Sequence, residues 1–178
     1  DGVEQNYTEA AEWYRKAAEQ GNATAQCKLG IMCEEGQGVE QNDAEAATWY
    51  RKSADQNVPE AQFNLGIMYE EGRGVEQNDI EATEWYRKAA SQGIPAAQFN
   101  LGLRYEEGRG IERNNVRAAE WYQRAAEQGL ADAQFNLGTM YYDGQGVEQD
   151  YSKAVMWYRN AAGQGDAEAG AAPRDVVG

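Results

Sequence analysis

Histidine is absent from the 178 residues, and there are only two cysteines, three prolines and three phenylalanines. Without histidine there is no imidazole for acid–base work and no His-ligated metal centre. Cys27 and Cys33 stand six residues apart on what reads as one helix. Six steps of about 100° put them about 120° apart around the axis, so they cannot pair with each other. No Cys-x-x-Cys pair and no serine-nucleophile motif occurs. Basic residues are scarce: 16 Lys and Arg stand against 30 Asp and Glu, a net charge of −14. That excludes the phosphate-neutralising footprint of a nucleic-acid binder and disfavours anionic membrane surfaces. No apolar run approaches the roughly 20 residues that span a bilayer, so no membrane insertion is expected. The chain begins in mid-repeat without a basic-then-apolar leader. A removed leader or further repeats upstream would each explain this, and the periplasm, secretion and the cytoplasm all stay open.

What is present is a period. Trp13-Tyr14, Trp49-Tyr50, Trp85-Tyr86, Trp121-Tyr122 and Trp157-Tyr158 recur every 36 residues without insertion or deletion. A fixed period of this length marks a repeat solenoid. The expected fold is all-α, an α/α superhelix of antiparallel helix pairs, forming one repeat domain over residues 1–178. A half-repeat covers 2–22, full repeats cover 23–58, 59–94, 95–130 and 131–166, and a degenerate remnant covers 167–178.

Each repeat reads as two helices, A and B. Helix A of the second full repeat starts at Pro59, a residue tolerated at the first helical position. It packs through Ala61, Gln62, Leu65, Gly66 and Tyr69 and stops at Gly72-Arg73-Gly74. Helix B is capped by Asn78, with Glu81 three residues on in the manner of a capping box. Asn42/Glu45 and Asn6/Glu9 repeat that pair, and Asp150 takes the asparagine's place in the last repeat. Ala82, Trp85, Tyr86, Ala89 and Ala90 form one apolar stripe, with both rings of the pair expected in the packing. Gly21, Gly93, Gly129 and Gly165 end helices B, with Asn57 in the same role. Gln26, Gln62, Gln98 and Gln134 point to the packed side and are expected to bond buried backbone.

The segments AQFNLGIMYEEGRGVEQN and EATEWYRKAASQG resemble the Sel-1-like repeat, a longer-looped relative of the tetratricopeptide repeat. The resemblance covers Gly2 to about Ala169. It implies a right-handed superhelix with helices A lining the concave side, and a non-enzymatic scaffold or adaptor for a protein or peptide partner, common in bacteria. Some bacterial members carry a disulfide in every repeat. Here Cys27 stands where Phe63, Phe99 and Phe135 stand, and Cys33 where Tyr69, Tyr105 and Tyr141 stand, so both read as small replacements for aromatics.

The face of helix A that packing leaves free holds positions 2, 6, 9 and 13 of the helix. Lys28, Ile31 and Glu35 occupy its inner positions in the first full repeat, after Thr24. Asn64, Ile67 and Glu71 follow in the second, Asn100, Leu103 and Glu107 in the third, and Asn136, Thr139 and Asp143 in the fourth. An asparagine amide both donates to a peptide carbonyl and accepts from a peptide N–H. A regular row of amides suits an extended partner backbone, and apolar neighbours suit its side chains. The competing expectation is a solvated polar wall. The acid at position 13 would favour a basic partner segment or be ordinary surface charge. Arg104, Arg109, Arg113 and Arg117 of the third repeat would meet an acidic partner segment or offset nearby carboxylates.

The remaining motifs do not read as chemistry. The Gly-x-Gly pairs follow helix C-termini, where the dipole repels anions, and so are not phosphate loops. Adjacent carboxylates such as Glu70-Glu71 diverge around the helix and cannot face each other across a substrate. No metal and no cofactor is expected. Pro173 stands where the repeat calls for Leu and should stop the last helix. Two further functions compete with the scaffold: an architectural module that self-associates end to end, and a hydrolase of cell-wall or β-lactam compounds, as proposed for some relatives.

Overall fold

A computed structural model describes residues 2–163, with side chains described from Asn6 onward. The described residues form nine helices and no strand. They fall into two compact units, Asp1–Gln92 and Gly93–Gly178. The first unit holds α1 (Gly2–Glu19), α2 (Ala23–Glu35), α3 (Asp43–Ala54), α4 (Pro59–Glu71) and α5 (Asp79–Ser91). The second holds α6 (Pro95–Glu107), α7 (Asn115–Glu127), α8 (Ala131–Asp143) and α9 (Tyr151–Gly163). Inside each unit every helix packs on its sequence neighbours, so the chain is an α/α solenoid of 36-residue repeats. No helix among the described residues is long and apolar enough to cross a membrane. Pro173, Gly165 and the remnant lie outside the described residues.

Each helix pair closes on one contact. The tyrosine of helix B lies flat where helix A carries a glycine. A Cβ on Gly66 would come within 2.7 Å of the Tyr86 ring. Gly30 meets Tyr50, Gly102 meets Tyr122 and Gly138 meets Tyr158 in the same way. Tyr50, Tyr86 and Tyr122 are fully buried as a result. In a close-packed interior a side chain this large is accommodated only where its neighbour gives up its own.

The tryptophans behave differently from the sequence expectation. Trp49 and Trp85 are buried, Trp121 and Trp157 are half-buried, and Trp13 is 62% exposed. Tyrosine faces the helix A of its own repeat, whereas Trp85 turns to the preceding repeat. The Arg51 guanidinium of α3 lies 5.1 Å from the centre of the Trp85 ring of α5. Trp13 has no preceding helix among the described residues.

The packed arc of helix A is wider than the sequence suggested. Ala61, Gln62, Leu65 and Gly66 are buried as expected, but so is Met68, while Tyr69 is half-buried. Met32, Arg104 and Met140 at the same position are buried too. The cause is that α4 is pressed by α3 on one side and α5 on the other, and α8 likewise by α7 and α9.

The turn after helix A uses two glycines for two reasons. Gly72 caps α4 in the left-handed region, at φ 70°, with its N–H bonded to the Met68 carbonyl. Gly74 sits against the start of the previous helix B, where a Cβ would lie 2.1 Å from the Asp43 carbonyl oxygen. The long loop of one repeat is thereby clamped over the first turn of the helix before it.

Helix B is capped as expected by Asn42, Asn78 and Asp150, and in the third repeat by Asn114 as well. The capping box, however, is only half built. The backbone N–H of Asn78 donates to the Tyr69 carbonyl at 2.9 Å, leaving no donor for Glu81. Asn42, Asn114 and Asp150 bond Cys33, Tyr105 and Tyr141 in the same way. Asn6 is no cap, because α1 already runs from Gly2. Asn57 holds φ 64°, a positive φ like those of Gly21, Gly93 and Gly129 at the other described helix-B ends.

Candidate functional site

Gln26, Gln62 and Gln134 reach buried carbonyls, those of Ala18, Ala54 and Ala126, at 3.0, 3.2 and 3.0 Å. Gln56 donates to Gln26, Gln92 to Gln62 and Gln128 to Gln98, at 2.7–2.8 Å. These amides are consumed by the fold, which leaves the outward face of helix A as the place to look.

On α2, Lys28 and Glu35 are exposed and Ile31 is half-buried, packed against the core cluster rather than free on the surface. On α4, Asn64 and Ile67 are half-buried and Glu71 is exposed. In the second unit Asn100 and Leu103 are half-buried on α6, with Glu107 exposed. On α8, Asn136 and Thr139 are half-buried and Asp143 is exposed. Thr139 is already engaged, sharing a hydrogen bond of 3.2 Å with the Tyr158 hydroxyl. Three of the four acids at the end of the face have local partners. Glu35 accepts from Gln37 at 2.5 Å and Glu71 from Arg73 at 2.6 Å, and Arg109 lies 3.8 Å from Glu107.

Behind this face lies an arrangement that the sequence did not announce. The Tyr50 hydroxyl donates to Glu34 at 2.6 Å, Tyr86 to Glu70 at 2.5 Å and Tyr122 to Glu106 at 2.5 Å. Glu34 also takes a hydrogen bond from Arg73 at 2.7 Å. Burial, then the adjoining carboxylate, drives the Tyr50 and Tyr122 phenols well above the usual tyrosine range. The nearby Asn64 and Asn136 side chains partly oppose that rise. The constant spacing of Glu34 to Tyr50, Glu70 to Tyr86 and Glu106 to Tyr122 was the available signal. The fourth repeat breaks it, with Tyr142 in the carboxylate's place.

The arginines of the third repeat do not form one patch. Arg104 is buried, 2% exposed, and so is withdrawn from any partner. Arg117 bonds the Tyr105 hydroxyl at 3.3 Å. Arg113 is exposed.

The described side chains offer little to a hydrolase. Cys27 and Cys33 are buried free thiols whose pKa burial pushes up to about 11, so neither is a thiolate near neutral pH. A cavity of about 500 Å³ between α1 and α2 is lined by Ala10, Trp13, Tyr14, Ala17, Asn22, Thr24 and Ala25, without a serine, lysine or carboxylate. A second cleft, about 280 Å³, is lined by Tyr105, Ile111, Glu112, Asn114 and Arg117. Among the described residues no group of three or more acidic or cysteine side chains is placed to hold a metal ion.

The Sel1 repeat model matches residues 1–22, 23–58, 59–94, 95–130 and 131–166. Among solved structures, the chain is similar to a protective antigen of uropathogenic Escherichia coli strains that displays an SLR fold. That likeness has 44% identity and a TM-score of 0.87, and covers 89% of this chain and 34% of the other. It is also similar to a Sel1 repeat protein from Oxalobacter formigenes, at 39% identity and a TM-score of 0.85, over 93% of this chain and 48% of the other. An immunity protein from Pseudomonas aeruginosa matches at 30% identity and a TM-score of 0.55, over 89% of this chain and 59% of the other. The chain thus spans about a third to three-fifths of these relatives' lengths. No curated protein matches it.

Proposed function

Because the chain belongs to the Sel1 repeat family, we propose that it is a non-enzymatic scaffold that takes an extended protein segment on the outward faces of its helices A. Proteins of this family generally mediate protein–protein contacts and generally lack catalytic activity. An immunity protein among the neighbours supports a protein as the partner. In the first unit the binding face is built from α2 and α4, with Lys28, Ile31, Glu35, Asn64, Ile67 and Glu71. In the second it is built from α6 and α8, with Asn100, Leu103, Glu107, Asn136, Thr139 and Asp143.

The observation that carries this is one contrast within helix A. Four or more positions of each helix are buried in the stack, yet position 6 keeps a polar side chain and position 13 an acid at the surface. Half-buried asparagines beside half-buried Ile67 and Leu103 give a surface that is neither core nor freely solvated. Such surfaces read backbone amides and side chains together. The test is affinity capture from the native organism with the wild type and an Asn64→Ala, Asn100→Ala, Asn136→Ala variant. A partner held by the wild type and released by the folded variant is the expected result. Retention by both would remove the asparagine row from the binding face.

A further inference from the structure

We propose that the aromatic face of α1 is a dimer interface, and that its occupant is α1 of a second copy of this chain, laid antiparallel about a twofold axis at Trp13.

The next repeat shows what such a face takes. Ala46, Tyr50 and Ser53 of α3 are fully buried where α3 packs on α2. The Ser53 hydroxyl, near the end of α3, donates to the Ala23 carbonyl at the start of α2 at 2.7 Å, while Tyr50 lies on Gly30. The covering helix therefore runs antiparallel. Gln56, just past α3, adds an amide bond to Gln26 at 2.8 Å. One period earlier stand Ala10, Tyr14, Ala17 and Gln20. Ala10 and Ala17 are only half-buried, Tyr14 is 39% exposed and Gln20 is exposed. Ala10, Trp13, Tyr14 and Ala17 line the α1 wall of the cavity of about 500 Å³.

The sequence of α1 suits a copy of itself. Asn6, Ala10, Trp13, Ala17 and Gln20 follow at steps of four and three residues, the seam of a helix pair. The alanines beside Trp13 let a second helix approach and leave holes for its indole. Glu9 and Lys16 are exposed and seven residues apart, so both lie on one flank of this seam. The Lys16 ammonium sits on the Trp13 side, 4.2 Å from the centre of that ring. In an antiparallel pair about a twofold axis, like flanks meet. An axis at Trp13 sets Glu9 against Lys16 of the second copy, twice, with Ala10 against Ala17 and Asn6 against Gln20. A parallel pair would turn this charged flank to the Tyr7 and Tyr14 side and leave both charges unmatched. The net charge of −14 repels two copies at long range, and the Glu9 and Lys16 order offsets that repulsion at contact.

Sedimentation velocity on the whole chain tests this, at about 0.15 M salt, where the charge field extends about 8 Å. From about 1 μM to about 1 mM, the mass should rise from one chain to two and stop there. Trp13→Ala should leave a single chain with unchanged circular dichroism. Glu9→Lys and Lys16→Glu should each weaken dimerisation about tenfold, since two like-charge contacts replace two ion pairs. An equimolar mixture of these two variants should recover the wild-type affinity, because each carries the charge that the other lacks. A single-chain mass throughout, or a mixture no better than its components, would overturn the proposal. Growth beyond two chains would overturn it in favour of an open end-to-end array. A wild-type chain that stays single, yet binds a labelled Pro59–Glu71 peptide in a manner lost on Trp13→Ala, would overturn the second copy as occupant and assign the face to a foreign helix.

Discussion

The fold turns on a few residues whose roles are local and steric or electrostatic. Gly66 is the clearest. Its missing Cβ is the space that the fully buried Tyr86 ring occupies, 2.7 Å from where that carbon would be. Gly66→Ala should destabilise the first unit by about 1–3 kcal/mol, because the ring sits inside a packed stack and has to move. Urea denaturation would check it, and a loss no larger than that of an exposed substitution would count against the lock. A second effect at this scale is titration. Burial, then hydrogen bonding to Glu34 and Glu106, raises the Tyr50 and Tyr122 pKa values in the folded chain. A raised pKa means that the fold favours the protonated phenol. That contribution is fully present below the unfolded value of about 10 and is lost as pH climbs beyond it, because the unfolded chain sheds the proton first. The urea midpoint should therefore fall as pH rises from about 9 to 11, and the Tyr50→Phe, Tyr122→Phe variant should fall less steeply. The lock and the phenols were only partly legible in the sequence. The recurring Gly66 and Tyr86 were visible as constant positions, but nothing in a one-dimensional pattern says that they touch.

Helices in this chain begin and end on signals that sequence patterning carries well. Asn78, Asn42 and Asn114 cap helices B, Gly72 closes α4, and Pro59 opens it. The capping box was misread because its second half depends on tertiary structure. The backbone N–H that Glu81 would have taken is already given to Tyr69 of the preceding helix. Glu45, freed in the same way, turns outward to Arg15 at 2.8 Å and to the Trp49 indole at 3.2 Å. The cap of each helix B thus does two jobs: its side chain satisfies the first turn, and its backbone pins the loop. Only the first is lost on truncation. Asn78→Ala should cost about 1 kcal/mol, typical of a lost side-chain cap, since the bond from its backbone to Tyr69 survives. Asn78→Pro removes both and should cost clearly more, although its fixed φ contributes as well. Equal losses in denaturant midpoints for the two variants would show that the backbone bond carries no weight.

At the scale of the molecule, the period told the fold and withheld the site. One supersecondary unit repeated at constant length sets which helices touch, so the α/α stacking followed from the spacing of Trp13, Trp49, Trp85, Trp121 and Trp157. The face of helix A could also be drawn from helical geometry, and Lys28, Asn64, Asn100 and Asn136 lie on it at the surface or half-buried. The hydrogen bond behind that face could not be drawn. It joins Glu34 of α2 to Tyr50 of α3, two helices whose mutual depth no sequence period encodes. Net charge, by contrast, is a property of the whole chain and can be argued from composition alone. At −14 the protein surrounds itself with a negative field that would favour the approach of a basic segment before any short contact forms. Screening shortens that field from about 10 Å at 0.1 M salt to about 3 Å at 1 M. Association of a lysine-rich octapeptide should therefore slow severalfold over this range, while its dissociation changes less, because contacts made within a few ångströms are screened less. Stopped-flow measurement of both rates separates the two contributions. A dissociation rate that carries all of the salt dependence would place the selectivity in contact ion pairs such as those at Glu71 and Asp143, and not in the field of the chain.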